Sequence, residues 1–240
     1  KDIIDGCEAG RKNLINGYKG NDKVDMETWE KAIPLTHAAI SLTGEPCMYP
    51  RLHELVGEFF NRNYRTVFLV TSGTVPSMLK NFFTHRAPTN LYLSLEATNE
   101  EDYKKFCIPV LQDSWHKIQE SMEILKELKE KRRTRTVLRI TCVKDFNMHK
   151  IEEFVQHVKK MQPDVIECKG FMHMGYAMYR LQKANAPRHE EIKEFARKLA
   201  ELTGYKLYDE IVKSTICMLV NYDYEEKYGT DKIKVPVHDY

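Results

Sequence analysis

The sequence predicts an α/β domain in which a parallel sheet is joined by crossover helices. Three observations predict it. Apolar, strand-like runs recur near residues 38–42, 66–71, 90–95, 136–143, 164–168 and 215–221. Helix-period apolar stripes fill most of the intervals, and strand–helix alternation argues for βαβ units. Several runs stay apolar at successive positions, as expected where both faces of a strand are covered.

The elements follow in order. Residues 3–18 read as a helix, and Asn16-Gly17-Tyr18-Lys19-Gly20-Asn21 as a loop. A chain of this class normally starts on a strand, so a first strand is expected upstream of residue 1. The run at 38–42 stops at Gly44-Glu45-Pro46, because proline cannot donate to a ladder. Leu52, Leu55, Val56, Phe59 and Phe60 then share one helical face. Trp115, Ile118, Met122, Leu125 and Leu128 form a second stripe. Ile151, Phe154, Val155, Val158 and Met161 form a third, and Ile192, Phe195, Ala196, Leu199 and Leu202 a fourth. No Gly/Ser linker divides the chain. One domain is expected over 1–223, with a polar tail over 224–240.

Composition narrows the function classes. A formal net charge of +2 leaves nucleic-acid binding to local patches. No apolar run reaches the ~20 residues that span a bilayer, and no membrane partner is expected. Six cysteines at 7, 47, 107, 142, 168 and 217 lie too far apart for a Cys-x-x-Cys motif. Cys142, Cys168 and Cys217 fall in strand-like runs and read as small core residues. The reading is a reducing, cytoplasmic compartment and no metal ligand within the chain.

Ligands of parallel sheets collect at the carboxyl ends of the strands. Here those ends carry Thr43-Gly44-Glu45-Pro46, Thr71-Ser72-Gly73-Thr74, Ser94-Leu95-Glu96, Arg139 to Lys144 with Asn147, and Glu167-Cys168-Lys169. Each has a bland reading as a turn or helix cap. Together they describe one pocket for a zwitterion bearing a sugar: carboxylate to Arg or Lys, ammonium to Glu, hydroxyls to Ser and Thr. Arg139 and Lys169 are costly among buried strand residues unless paired, and Glu167 and Glu96 are possible partners.

Ile-Ser-Leu-Thr-Gly-Glu-Pro-Cys-Met-Tyr-Pro (40–50), Phe-Leu-Val-Thr-Ser-Gly-Thr-Val-Pro (68–76) and Leu-Tyr-Leu-Ser-Leu-Glu-Ala (91–97) resemble the radical S-adenosylmethionine tRNA 4-demethylwyosine synthases. So do Arg-Thr-Val-Leu-Arg-Ile-Thr-Cys-Val-Lys (135–144), Ile-Glu-Cys-Lys-Gly-Phe-Met-His-Met-Gly-Tyr (166–176) and Pro-Arg-His-Glu-Glu (187–191). The resemblance implies a partial (β/α)6 radical-SAM-type barrel. It implies S-adenosylmethionine and a 4Fe-4S cluster as cofactors. It implies tRNA(Phe) with N1-methylguanosine beside the anticodon as substrate, pyruvate as carbon donor, and an electron donor, a flavodoxin-like domain or protein.

Carried over by position, Gly44, Glu45 and Pro46 hold the methionine amino group. Thr71, Ser72 and Gly73 lie along the ribose side. Ser94 and Glu96 approach the ribose or the methionine. Arg139 takes the methionine carboxylate, Asn147 touches adenine, and Lys169 is the candidate catalytic residue on the substrate side. Ser72 stands where the family usually has Asn, and Glu96 where it has Asp. The family's Cys-x-x-x-Cys-x-x-Cys loop, its pyruvate-binding lysine and its second-cluster cysteines are absent from residues 1–240 and are expected upstream.

Two basic groups are candidates for RNA. Lys129, Lys131, Arg132, Arg133 and Arg135 precede their strand and read as a solvated helix end. Arg180, Lys183, Arg188 and His189 follow the fifth strand, and are the expected tRNA surface, with Tyr176 and Tyr179 placed to stack on a base. Rival readings are an iron-free barrel enzyme for a small zwitterion, and a cluster-less homologue that binds tRNA or assists assembly.

Overall fold

The structure, a computed structural model, describes residues 2–42, 44–131 and 133–221. The tail expected over 224–240, Thr43 and Arg132 lie outside the described residues. Helices α1 (Asp2–Asn16) and α2 (Met26–Ala32) come first. Then β1 (His37–Ile40), α3 (Leu52–Asn61), β2 (Thr66–Thr71), α4 (Pro76–Lys80) and β3 (Asn90–Leu95) alternate. They are followed by α5 (Glu100–Cys107), α6 (Ser114–Glu130), β4 (Arg135–Cys142), α7 (Ile151–Met161) and β5 (Val165–Gly170). Last come α8 (His189–Thr203), β6 (Lys206–Ile211) and β7 (Ile216–Val220).

The strands form one open sheet in the order β1-β2-β3-β4-β5-β7-β6. The first five are parallel, as the strand–helix alternation predicts. The expectation of a sixth parallel strand at 215–221 fails. β7 is antiparallel to β5, and it pairs with β6, a strand the sequence reading missed. The reason is chain length. Only a short 3₁₀ turn, Val212–Ser214, and the left-handed Thr215 (φ 52°) separate β6 from β7. A link that short makes a hairpin, whereas a parallel return needs a dozen residues or more. β6 is an edge strand, partly or fully exposed along its length, so Lys-Leu-Tyr-Asp-Glu-Ile lacks the apolar run that marks its neighbours.

Alternation of side chains divides the sheet into two faces. Leu69, Leu91, Leu93, Leu138, Ile140, Ile166, Cys168 and Leu219 pack into one core with Leu52, Val56, Met122, Leu125, Phe154, Phe195 and Leu199 from the helices. Three of the four predicted stripes are buried as expected at their central positions. The fourth ends early: Leu202 is 47% exposed, since α8 runs past the sheet. On the opposite face Val137, Val165 and Val220 pack with Tyr92, Tyr208 and Met218, with no helix residue among them. α1 docks at the back of α3. Ile4 is fully buried, Arg62 pairs with Asp5 at 2.7 Å and Glu8 at 3.4 Å, and Tyr64 Oη donates to Glu8 Oε1 at 3.2 Å.

The basic run before β4, expected as a solvated helix end, is in part tied into the scaffold. Lys129 Nζ donates to Gln162 O at 2.6 Å, and Arg133 Nη2 to His85 O at 2.6 Å. Arg135 is buried and bonds the Asn90 carboxamide.

Candidate functional site

Glu45 organises the ends of β1 and β2. It sits at the N-cap of a 3₁₀ turn (Pro46–Met48), where a carboxylate can accept from the turn's exposed N–H groups. Cys47 N donates to Glu45 Oε1 at 2.9 Å, and Thr71 Oγ1 donates to the same oxygen at 2.6 Å. Ser72 N at 2.7 Å and Ser72 Oγ at 2.5 Å both donate to Oε2. A carboxylate has about four acceptor positions, so this one is fully engaged. Ser72 supplies two of the four donors, one from its backbone and one from its hydroxyl. Pro46 supplies the rigid first residue of the turn. Gly44 takes φ +90°, and nothing stands within 4 Å of where its Cβ would be. The backbone is therefore open to a ligand there.

Gly73 behaves differently. Its φ is +76°, and a Cβ would meet Leu93 Cδ1 at 2.5 Å and Ser121 Cβ at 3.2 Å. Ser121 Oγ donates to its carbonyl at 2.7 Å. Gly73 thus lets the strand end press onto α6 and lines neither cavity described below.

Two cavities meet at Glu96. One, about 590 Å³, is lined by Gly44, Glu45, Thr71, Ser72, Ser94 and Glu96, with Tyr103, Cys107 and Ser114 opposite. The other, about 440 Å³, is lined by Glu96, Thr141, Val143, Asn147, Phe106, Phe146, Phe171 and Arg180. Burial pushes the Glu96 carboxyl up to about 7, against the opposing pull of its own backbone N–H and of Arg139. The group is thus poised to titrate at neutral pH. Asn147 lines the second cavity, but its polar atoms are spent on the scaffold. Val143 N donates to its Oδ1 at 2.8 Å, and its Nδ2 donates to Glu96 O at 2.8 Å and Thr141 O at 2.7 Å. It ties the tips of β3 and β4 together and leaves a ligand no free amide.

The expectation for Arg139 needs correction. Strand register puts Ser94, Arg139, Glu167 and Met218 in one row on the helix-free face. Arg139 Nε donates to Glu167 Oε1 at 2.7 Å, and its guanidinium lies 4.7 Å from the Tyr92 ring centroid. Arg139 lines neither cavity, and its charge is taken by a partner one strand away. Lys169 occupies the next row, with Thr141 and Ile216, and also lines neither cavity.

The segment after β5 is rich in exposed apolar side chains, including Met172, Met174, Tyr176, Met178 and Tyr179. The Tyr176 and Tyr179 rings lie 6.4 Å apart and are both more than four-fifths exposed. Arg180 Nη1 donates to Phe106 O at 3.2 Å and so closes over the second cavity. Lys183 is exposed. Arg188 caps α8 and pairs with Glu191 at 3.5 Å, with most of its side chain in solvent. His189 turns inward: its side chain is 9% exposed and its Nε2 lies 2.9 Å from Glu210 Oε2. Of the four cations expected to face RNA, Arg180, Lys183 and Arg188 are exposed and His189 is not.

Sequence reasoning missed the far wall of the first cavity, Tyr103, Cys107 and the loop 108–111. That loop is set by a left-handed Ile108 (φ 49°) at the end of α5, which no glycine announces. It also missed Phe106, Phe146 and Phe171, which meet only in three dimensions.

An open, mostly parallel α/β sheet that gathers carboxylates and hydroxyls at adjoining strand ends has its candidate site where ligands of this class of fold collect. Comparison with known proteins agrees. A family described as "Radical SAM superfamily" matches residues 21–158, and one described as "Wyosine base formation" matches 160–221. An S-adenosyl-L-methionine-dependent tRNA 4-demethylwyosine synthase of Pyrococcus horikoshii is 40% identical over 223 residues, covering 92% of this chain and 64% of that protein. The Mus musculus synthase, TYW1, is 33% identical over 222 residues, covering 92% of this chain and 30% of that protein. A solved structure of TYW1 with a lysine-pyruvate adduct bound superposes with a TM-score of 0.80 at 32% identity, over 92% of this chain and 69% of that one. A crystal structure of archaeal TYW1 gives 0.75 at 30% identity, over 92% and 70%. The chain belongs to the radical SAM superfamily and, within it, to the tRNA 4-demethylwyosine synthase family. It spans about 64% of the length of its archaeal relative.

The family implies S-adenosylmethionine and an iron–sulfur cluster, and the residues present treat the two differently. The joined cavities and the donors around Glu45, Ser94 and Glu96 fit the first. The cysteines do not fit the second. Cys168 and Cys217 are directly opposed on β5 and β7, Cys142 is buried in the same core, and Cys7 lies on α1, but among the described residues no metal-sized group of ligand atoms contains more than one thiol. No helix among the described residues is long and apolar enough to cross a membrane.

Proposed function

We propose that this chain is the S-adenosylmethionine-binding core of an enzyme that builds 4-demethylwyosine from N1-methylguanosine in tRNA(Phe), with pyruvate as carbon donor. The observation that carries the reading is the pair of cavities joined at Glu96, one walled by the Glu45–Thr71–Ser72 cluster and the other by aromatic rings.

The polar cavity suits the methionine end. Its ammonium lies toward Glu45 and replaces the Ser72 hydroxyl among the carboxylate's donors. The aromatic cavity suits adenine, whose faces Phe106, Phe146 and Phe171 can sandwich. Between them Glu96 accepts from ribose hydroxyls, with Ser94 beside it. When bound, S-adenosylmethionine supplies a sulfonium-linked adenosyl group as the source of radical chemistry. The chain's residues orient that group and exclude water from it. The Arg139–Glu167 pair and Tyr92 lie outside both cavities on the helix-free face, and Lys169, one row nearer the strand tips, is the candidate catalytic cation for the anionic carbon donor. Arg180, Lys183 and Arg188 offer charge to tRNA phosphates, and Tyr176 and Tyr179 offer faces to an unstacked base. The electron donor is a flavodoxin-like domain or protein.

Calorimetric binding of S-adenosylmethionine tests the site. Glu45→Ala and Glu96→Ala are expected to weaken it about 10-fold or more, since each removes charge-assisted hydrogen bonds. Unchanged affinity in both variants, with the fold intact by circular dichroism, overturns the placement.

A further inference from the structure

We infer that His189, Glu210 and Cys217 form a binding site for a zinc-type divalent ion, separate from the nucleoside cavities. The three residues come from α8, β6 and β7, and one ligand atom from each lies within 4.8 Å of the other two. The sheet dictates this meeting. Glu210 and Cys217 are directly opposed partners on neighbouring antiparallel strands, so their side chains share a face. That face is the one α8 covers, and His189 is the first residue of that helix.

The His189 side chain is 91% buried, the complement of its 9% exposure, so its ring is held at this place against the sheet. Its Nε2 faces Glu210 Oε2 at 2.9 Å, so this nitrogen and that carboxylate oxygen converge on one point beside Cys217. An imidazole coordinates a metal through a nitrogen that carries no proton, so the ring proton resides on Nδ1 when an ion is bound.

The donor set selects the ion. One imidazole nitrogen, one thiolate and one carboxylate oxygen are the ligands that zinc takes, at about 2.0–2.3 Å, with a fourth position for water. On binding, the Cys217 thiol proton leaves to solvent and an S–metal bond forms, with no change of oxidation state. Thiolate, carboxylate and a divalent ion sum to neutrality. Lys193 works against the site, since its Nζ holds Glu210 Oε1 at 2.9 Å, while Oε2 faces His189 Nε2 and is the oxygen an ion takes. An ion here ties the β6–β7 hairpin to the start of α8, next to exposed Arg188.

Cobalt(II) titration of the chain, read by absorbance, tests this. The background is Cys7→Ser/Cys107→Ser, which removes the exposed and half-exposed thiols. About one equivalent is expected to bind with a thiolate-to-cobalt charge-transfer band. Cys217→Ser is expected to abolish that band. His189→Ala is expected to lower the affinity about 10-fold or more, and Lys193→Met to raise it. Circular dichroism of each variant controls for folding. A band that is missing in the background protein, or that persists in Cys217→Ser, means an adventitious ion only, and either result overturns the site.

Discussion

At the scale of single residues, the inner face of the sheet turns on two carboxylates. Glu167 is 9% exposed at its side chain and depends on Arg139 for its charge balance. Removing one member of a buried pair costs more than removing both, because the survivor is left uncompensated. Arg139→Ala is therefore expected to lower the unfolding free energy by about 2–3 kcal/mol, and Arg139→Leu/Glu167→Leu by clearly less. Urea titration of both proteins measures it, and equal losses refute the pairing. Glu96 has the opposite character. Its folded value of about 7 lies above its ordinary 4.5, so the folded state holds the proton more tightly than the unfolded state. Stability then falls as pH rises between those values. Glu96→Gln is expected to match the parent near pH 4 and to exceed it by up to about 3 kcal/mol near pH 8, in thermal melts compared across pH. Ligand affinity in the parent moves the other way and rises through pH 7, as the carboxylate becomes the better acceptor.

At the scale of elements, the β2 tip and α6 meet at Gly73. Its positive φ and the 2.5 Å approach to Leu93 leave no room for a methyl group. Gly73→Ala is expected to cost about 2–4 kcal/mol through strain and overpacking. Chemical denaturation reads the loss, and a change under about 0.5 kcal/mol rejects the contact. The sheet's far end shows where reading by element fails. The central strands announce themselves because both faces are covered, whereas β6 lies at an edge and carries charge. Its partner β7 looks like every other apolar run, and only the shortness of the preceding turn reverses its direction.

At the scale of the whole molecule, Arg180 lines the second cavity, and Lys183 and Arg188 are exposed further along the same segment and at the start of α8. Each cation that meets a phosphate adds about one unit to the salt dependence of binding. Arg188→Ala is expected to weaken tRNA(Phe) binding and to reduce the log–log salt slope by about 1. Filter binding at several salt concentrations measures it, and an unchanged slope removes Arg188 from the interface.

Much of this protein is written in its sequence. The periodicity of apolar residues sets the alternation of strands and helices, because burial on a strand or helix follows its repeat. The polar tips Glu45, Ser72, Ser94 and Glu96 belong to one place because parallel strands deliver their carboxyl ends to the same edge of the sheet. Tertiary structure alone decides how those groups are used. Arg139 has a partner one strand away, Asn147 spends its amide on two strand tips, and His189 turns inward to Glu210 and Cys217. These outcomes depend on register and on distances of a few ångströms between residues far apart in the chain, and no local pattern encodes them.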